Sequence, residues 1–329
     1  MRTATSGVHR TRAGLAWNDA RMTHSPLIVM PSYVRAGLPD DMPNVVLLDE
    51  HGDLPDDVLA GAEFYVRAYY AGRHENALIA RMPNLRVIQT LTAGVDDVLP
   101  YLPSGVTLCN AAGVHDASTA ELTVALMLVM QRGLHEYRDR QHNGDWQHEF
   151  RPALADARVL IVGAGHIARA IAVRLAPFEV EVTRVARTAR VDDLGAVYGI
   201  EELDRLLPLA DIVSIIVPHT KDTHHLVDRG FLQKMKSGAL LINTARGKVV
   251  DTEALLEALQ AGSIRAAMDV TDPEPLPADH PLWRAPNCFI TPHIGGDTSA
   301  FQPRATALVA QQVHRWLHGE DLRNIIVRG

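Results

Sequence analysis

Residues Val159 to Ala170 read Val-Leu-Ile-Val-Gly-Ala-Gly-His-Ile-Ala-Arg-Ala, and no other stretch constrains the fold as strongly. The apolar run Val159–Val162 suits a strand buried on both faces, as in parallel sheets covered by helices. Gly163, Gly165 and Ala168 follow at the spacing of a dinucleotide-binding turn that opens a helix. Gly163 permits the tight turn, Gly165 lets backbone approach a pyrophosphate, and Ala168 keeps the helix close to the strand. Phosphates would rest on the unsatisfied N–H groups of the helix start, which makes His166 and Ile167 candidate cofactor contacts as well.

The same rhythm runs through the chain. Before the turn, short apolar runs fall at Leu27–Met30, Val45–Leu48, Phe64–Val66, Val87–Thr90 and Val106–Cys109. After it come Val180–Val185, Ile212–Val217, Ala239–Ile242 and Ala266–Val270, with helical patterns near Ile200–Leu207, Asp228–Met235 and Thr252–Ala261. Alternation of this kind predicts an α/β fold: two Rossmann-like domains, each a mostly parallel sheet flanked by helices, with a cleft between them. Between the two series lies Ser118–Gln131, apolar nearly all round. A helix tolerates that only in a large core or an interface, so it is expected between domains and in a homodimer contact.

Composition narrows the function classes. At 329 residues the chain has length for two domains, and its net charge of −7 provides no broad basic surface for nucleic acid or anionic membrane. No apolar stretch approaches the roughly 18 residues of a membrane span, so the expected partner is a small molecule. Two cysteines, Cys109 and Cys288, make no disulfide framework or zinc motif, which fits a reducing cytoplasm. Histidine and cysteine spacing predicts no catalytic metal. Residues 1–25, with four arginines against the single acid Asp19, read as a disordered leader, with Met22 an alternative start and a transit peptide the competing reading.

Several further motifs occur in order. They are Thr92-Ala-Gly-Val-Asp96, Asn110-Ala-Ala-Gly-Val114, Ala120-Glu121, Val217-Pro218 with Thr220 and Thr223, Ile242-Asn-Thr-Ala-Arg-Gly247, Asp269-Val270, Glu274-Pro275 and Thr291-Pro-His-Ile-Gly295. With the glycine turn, they make the chain from about Leu27 to Val327 resemble the D-isomer-specific 2-hydroxyacid dehydrogenases, and the glyoxylate/hydroxypyruvate reductases in particular. The resemblance implies a substrate domain from 26–113 plus 297–329 and a dinucleotide domain over 114–296. It also implies that Ala93 and Gly94 hold the substrate carboxylate through backbone N–H groups, and that Tyr69 and Tyr70 face the substrate, although either could be ordinary core. Pro218, Thr223, Thr244 and Asp269 resemble cofactor-lining positions, while Asp269 could equally be a helix cap.

Reduction of a 2-keto acid needs a cation on the carbonyl and carboxylate, an acid for the developing alkoxide, and a hydride donor. Arg246 follows a strand, where open α/β sheets bind ligands, and its planar guanidinium can hold two oxygens at once. His293 is the candidate acid, because imidazole donates and accepts near neutrality. Glu274, paired to it, would keep the ring charged and oriented. By contrast His224 and His225 read as surface residues.

Cofactor choice is read at the end of the second strand after the glycine turn, where NAD-preferring chains place an acid. That position is Ala186, followed by Arg187-Thr188-Ala189-Arg190. Arg187, Thr188 and Arg190 suit the 2′-phosphate of NADP, whereas NAD would need Asp192 or Asp193 brought back by a loop excursion. Hydride transfer between NADP(H) and glyoxylate or hydroxypyruvate is thus the expected reaction. Two rivals share the scaffold: oxidation of another acid such as phosphite, and a dinucleotide-sensing corepressor with negligible turnover. Formate oxidation, with no hydroxyl proton to move, has no use for Glu274.

Overall fold

The computed structural model describes residues 26–329 except 41, 43, 49–53 and 71–72. The expected leader, residues 1–25, lies outside the described residues. Strands are β1 (Leu27–Pro31), β2 (Val45–Leu48), β3 (Ala62–Arg67), β4 (Val87–Thr90), β5 (Thr107–Cys109), β6 (Arg158–Val162), β7 (Glu181–Ala186), β8 (Arg190–Asp192), β9 (Gly195–Gly199), β10 (Ile212–Ile215), β11 (Leu240–Asn243), β12 (Arg265–Met268), β13 (Cys288–Ile290) and β14 (Ile325–Val327). Helices are α1 (Asp56–Gly61), α2 (Arg73–Ile79), α3 (Asp116–Arg132), α4 (Leu134–His142), α5 (His166–Leu175), α6 (Leu203–Leu206), α7 (Arg229–Lys234), α8 (Thr252–Gln260) and α9 (Phe301–Leu317). They fall into two compact units.

The first unit comprises the described residues up to Leu91, Asp97–Ala111 and Gln302–Gly329. Its sheet runs β14-β5-β4-β3-β1-β2, all parallel except β14. Strands β1, β3 and β4 are buried at nearly every residue, on both faces, as expected of a covered parallel sheet. One stripe of α9, with Ala305, Leu308, Val309 and Val313, is buried, and Trp316 reaches Phe64 with 5.2 Å between rings. Gln312 lies on that buried stripe with its amide fully partnered: it donates to Gln89 at 2.8 Å and to the Arg323 carbonyl at 2.9 Å, and accepts from the Arg323 N–H at 2.9 Å. A buried amide is tolerable only when so satisfied.

The second unit, Thr92–Asp96 and Ala112–Phe301, has the order β13-β12-β11-β10-β6-β7-β9-β8, parallel but for β8. Alternate residues of its central strands feed two cores. Leu160, Val162, Val213, Ile215 and Leu241 pack on one face with Leu255 and Leu259 of α8. Val159, Ile161, Ile212, Leu240 and Ile242 pack on the other with Ala168 and Ile171 of α5 and Val124 and Met127 of α3. The two faces together explain why an alternating polar residue is missing from these strands. Helix α3 ends at Gly133 in the left-handed region (φ 61), a common helix stop. Asp251 caps α8 by accepting from the N–H groups of Glu253 and Ala254, a contact that typically contributes about 1 kcal/mol.

Residues 190–199, where no strand is expected, form an antiparallel pair, β8 with β9, and one local expectation is corrected. The helix expected over Ile200–Leu207 is interrupted: only Leu203–Leu206 is α-helical, flanked by 3-10 turns at Ile200–Glu202 and Leu207–Leu209.

Candidate active site

The order of the second sheet reverses between β6 and β10, and ligands of open α/β sheets bind outside the carboxyl ends of the strands at such a point. Gly163 stands there, directly after β6. Its φ of 127° is one that side-chain-bearing residues rarely adopt, and a Cβ would overlap the Ile216 carbonyl beyond β10. At Gly165 a Cβ would meet nothing, so the space over it is open to a ligand. Gly165 also serves as the N-cap of α5 without a side-chain cap, which leaves the first N–H groups of that helix for an anion. His166 is exposed there, whereas the Ile167 side chain packs on the core.

A cavity of about 630 Å³ opens on this turn, lined by Gly163 and Gly165, by Arg187, Thr188 and Arg190 after β7, and by Pro218 and Thr223 after β10. Its rim is braced locally. The Thr223 hydroxyl donates to the Pro218 carbonyl at 2.6 Å and accepts from the Thr220 N–H at 2.7 Å. Arg190 donates to the Ala164 carbonyl at 2.9 Å, tying the loop after β7 to the glycine turn. Among the described residues, the Arg187 side chain has no partner, so its guanidinium is available. Asp192 and Asp193 are not available: Arg184 binds the first through both nitrogens at 2.7 and 2.8 Å, and Arg169 holds the second. Open space over Gly165, the uncapped helix and the unpaired arginine together fit a dinucleotide.

Beyond β11 the chain turns through Thr244, Ala245 and Arg246. Asn243, fully buried, braces that turn from both sides, accepting from the Ala245 N–H and donating to the Arg246 carbonyl, each at 3.0 Å. The Thr244 hydroxyl meets that of Thr123 on α3 at 2.9 Å. Arg246 itself donates to Asp96 at 3.1 Å and to the Ala245 carbonyl at 2.8 Å. A Cβ on Gly94 would overlap the Arg246 guanidinium, so glycine is what lets the arginine lie across the Thr92–Asp96 loop. The Thr92 hydroxyl closes this loop by donating to the Gly94 carbonyl at 2.7 Å. Gly94 therefore presents its backbone beside the guanidinium, with Ala93 preceding it in the loop.

After β12, Asp269 is buried and accepts from the Thr291 hydroxyl at 2.6 Å and from the N–H groups of Ile294 and Gly295 at 2.9 and 3.0 Å. Burial raises its pKa despite those donors. Asp269 is therefore no helix cap; it is the post that holds residues 291–295. On that post His293 takes a left-handed backbone (φ 55), its N–H donating to the Asp269 carbonyl at 2.7 Å. Glu274 meets the ring Nδ1 at 2.5 Å, and this contact raises the imidazole pKa, overcoming the opposing effects of burial and of the Arg246 charge.

The arrangement is matched elsewhere. Residues 124–295 fit the family model of the D-isomer specific 2-hydroxyacid dehydrogenase, NAD binding domain. A glyoxylate reductase of Thermofilum pendens is 39% identical over 249 residues, covering 72% of this chain and 74% of that protein. A glyoxylate reductase/hydroxypyruvate reductase of Mus musculus is 38% identical, covering 73% and 76%. Among solved structures, the NADPH-dependent glyoxylate/hydroxypyruvate reductase of Sinorhizobium meliloti, in complex with NADP and sulfate, superposes with a TM-score of 0.80 at 27% identity, covering 92% of this chain and 98% of that one. The chain belongs to the D-isomer specific 2-hydroxyacid dehydrogenases.

As a 2-hydroxyacid dehydrogenase, the chain is an oxidoreductase that takes a nicotinamide dinucleotide and acts on an acid substrate. Arg246, Glu274, His293, Ala93, Gly94 and the cofactor candidates all lie in its second unit. Tyr69 and Tyr70 belong to the first unit, where they follow β3 at that sheet's own reversal between β1 and β3. Their rings meet edge to face at 4.8 Å, and the Tyr69 N–H donates to the Tyr33 hydroxyl at 2.9 Å. Sequence reasoning overlooked Asn243 and Asp96 as supports of Arg246, although both stand inside motifs already singled out. No helix among the described residues is long and apolar enough to cross a membrane. No group of three or more His, Cys, Asp or Glu among them could hold a metal ion.

Proposed function

We propose that this dehydrogenase reduces a small 2-keto acid, glyoxylate or hydroxypyruvate, with NADPH. The observation that carries the reaction is the Glu274–His293 contact on the Asp269 post, beside Arg246. A bound nicotinamide supplies the hydride. Arg246 holds the keto oxygen and carboxylate and concentrates positive charge where the alkoxide develops. Backbone N–H groups of Ala93 and Gly94 take the other carboxylate oxygen. His293, kept protonated by Glu274, gives its proton to the keto oxygen, and Glu274 steadies the ring throughout.

NADP over NAD is supported by the loop after β7. Arg187 is unpaired among the described residues and lines the cavity with Thr188 and Arg190, while both nearby carboxylates are already bound by arginines. In this reading the 2′-phosphate lies against Arg187 and Arg190, and an NAD ribose finds no acid to accept from its hydroxyl. Arg187→Ala is expected to raise KM for NADPH at least tenfold and to leave KM for NADH within about twofold, since a guanidinium–phosphate contact contributes roughly 1.5–3 kcal/mol. Equal effects on both cofactors would remove Arg187 from cofactor choice.

The same reading makes the enzyme a cytoplasmic homodimer. Trp146 and Phe150 support the dimer: both are fully exposed on a segment tied to α4 by the Arg140–Glu149 and Arg151–Glu136 side-chain pairs and by the Glu149 N–H donating to the Tyr137 hydroxyl. Two large aromatic rings held outward in this way suit a partner surface.

A further inference from the structure

Arg184 is a charged residue in the interior of a sheet, 3% exposed on β7. A guanidinium there costs several kcal/mol unless it is paired and hydrogen-bonded, and an apolar residue would serve packing as well. Its partner is Asp192, on the far strand β8, which also accepts from the Leu194 N–H at 2.9 Å. Arg184 further donates to the Gly195 carbonyl at 3.3 Å. One side chain thereby grips both ends of the turn joining β8 to β9. Register places Arg184 and Arg190 on opposite sides of Val197, so the grip on Asp192 acts on the strand that Arg190 opens. Asp192 is pulled down to about 2, first by its hydrogen bonds from Arg184, and stays ionised.

The second clamp comes from the other side. Arg169, on the helix that starts at the glycine turn, holds Asp193 through both of its terminal nitrogens. The pair is exposed, with 46% and 68% of the side chains accessible, so it contributes little to stability. What it does do is neutralise a carboxylate three residues from Arg190. Left bare, that charge would oppose a phosphate at Arg187 and Arg190.

We infer that Arg184–Asp192 and Arg169–Asp193 are positioning pairs for cofactor choice: they lock the β8–β9 hairpin that carries Arg190 and cancel the hairpin's two negative charges. The inference rests on the NADP reading above and extends it to residues that touch no ligand. Selectivity for the 2′-phosphate would then depend on the hairpin's rigidity and net charge as well as on the arginines that meet the phosphate.

The test is direct titration of NADPH and NADH into the purified protein without substrate, followed by nicotinamide fluorescence. In Arg169→Gln the ratio of NADH to NADPH dissociation constants should fall about fivefold to tenfold, with NADH binding within twofold of the parent and an unchanged thermal midpoint. Adding Asp193→Asn to that variant should restore most of the ratio, because the uncovered charge is gone. Asp192→Asn should lower the ratio further; it strands a buried guanidinium, and the exposed Arg169 variants keep the test decisive if it fails to fold. A parent protein that prefers NADPH, together with unchanged ratios in Arg169→Gln, would overturn the positioning role alone. A parent that binds NADH as tightly as NADPH would overturn the NADP reading and this inference with it.

Discussion

Replacing Arg246 by alanine is expected to lower kcat/KM for keto-acid reduction by roughly 10²–10³, the scale seen when one preorganised donor to a developing oxyanion is removed. The fold should survive, because the side chain is one-third exposed and its partners are Asp96 and a neighbouring carbonyl. A thermal melt within a few degrees of the parent, together with intact NADPH binding, would localise the loss to the chemical step. Arg246→Lys should recover only part of the activity, since a lysine ammonium cannot reproduce a two-nitrogen grip on two oxygens. Gly94→Ala supplies an independent control. Its methyl group would take the place of the guanidinium, so activity should fall with Arg246 still present. Near-normal turnover in Arg246→Ala would remove the arginine from the mechanism.

The second large effect is on pH dependence. Glu274 raises the His293 pKa, so the protonated ring needed for reduction persists above the ordinary imidazole range. The reductive rate should therefore be flat at low pH and fall about tenfold per unit once pH passes the raised value. Oxidation of the hydroxy acid needs the neutral ring and should show the opposite limb. Glu274→Gln removes the charge partner, so the reductive inflection should move to lower pH and kcat at neutral pH should fall. His293→Ala should lose roughly 10²–10⁴ in kcat, the usual worth of a general acid, with cofactor binding retained. The same raised pKa bears on folding with a definite sign: its contribution is complete below the ordinary imidazole pKa and is lost as pH rises through the raised value. With His293 nearly half exposed, the effect on stability is small beside the effect on rate. An inflection that does not move in Glu274→Gln would separate the two residues.

Much of this was legible in the residues. Runs such as Val159–Val162, and Ile212–Ile215 with its one serine, announce strands buried on both faces, and the structure places them side by side at the centre of the second sheet. Gly163 was readable because its turn has a steric requirement that few residues meet. The β8–β9 hairpin was not, because Arg190–Asp192 and Gly195–Gly199 carry no long apolar run, and the Arg184 grip on their turn joins residues eight and eleven positions apart. Asp192 and Asp193 illustrate the same limit. Sequence position made them possible ribose acceptors, and only the fold shows which arginines hold them. The left-handed backbone of His293 was equally hidden, since it follows from three contacts to Asp269 made by residues 291–295.

The measurement that bears most directly on the account is the loss of reduced-nicotinamide absorbance on mixing the purified protein with glyoxylate or hydroxypyruvate, run in parallel with NADPH and NADH. Keto-acid-dependent oxidation of NADPH, faster than that of NADH and abolished in a His293→Ala, Arg246→Ala double variant, is the predicted result. Tight binding of NADPH with no oxidation by either acid would contradict it.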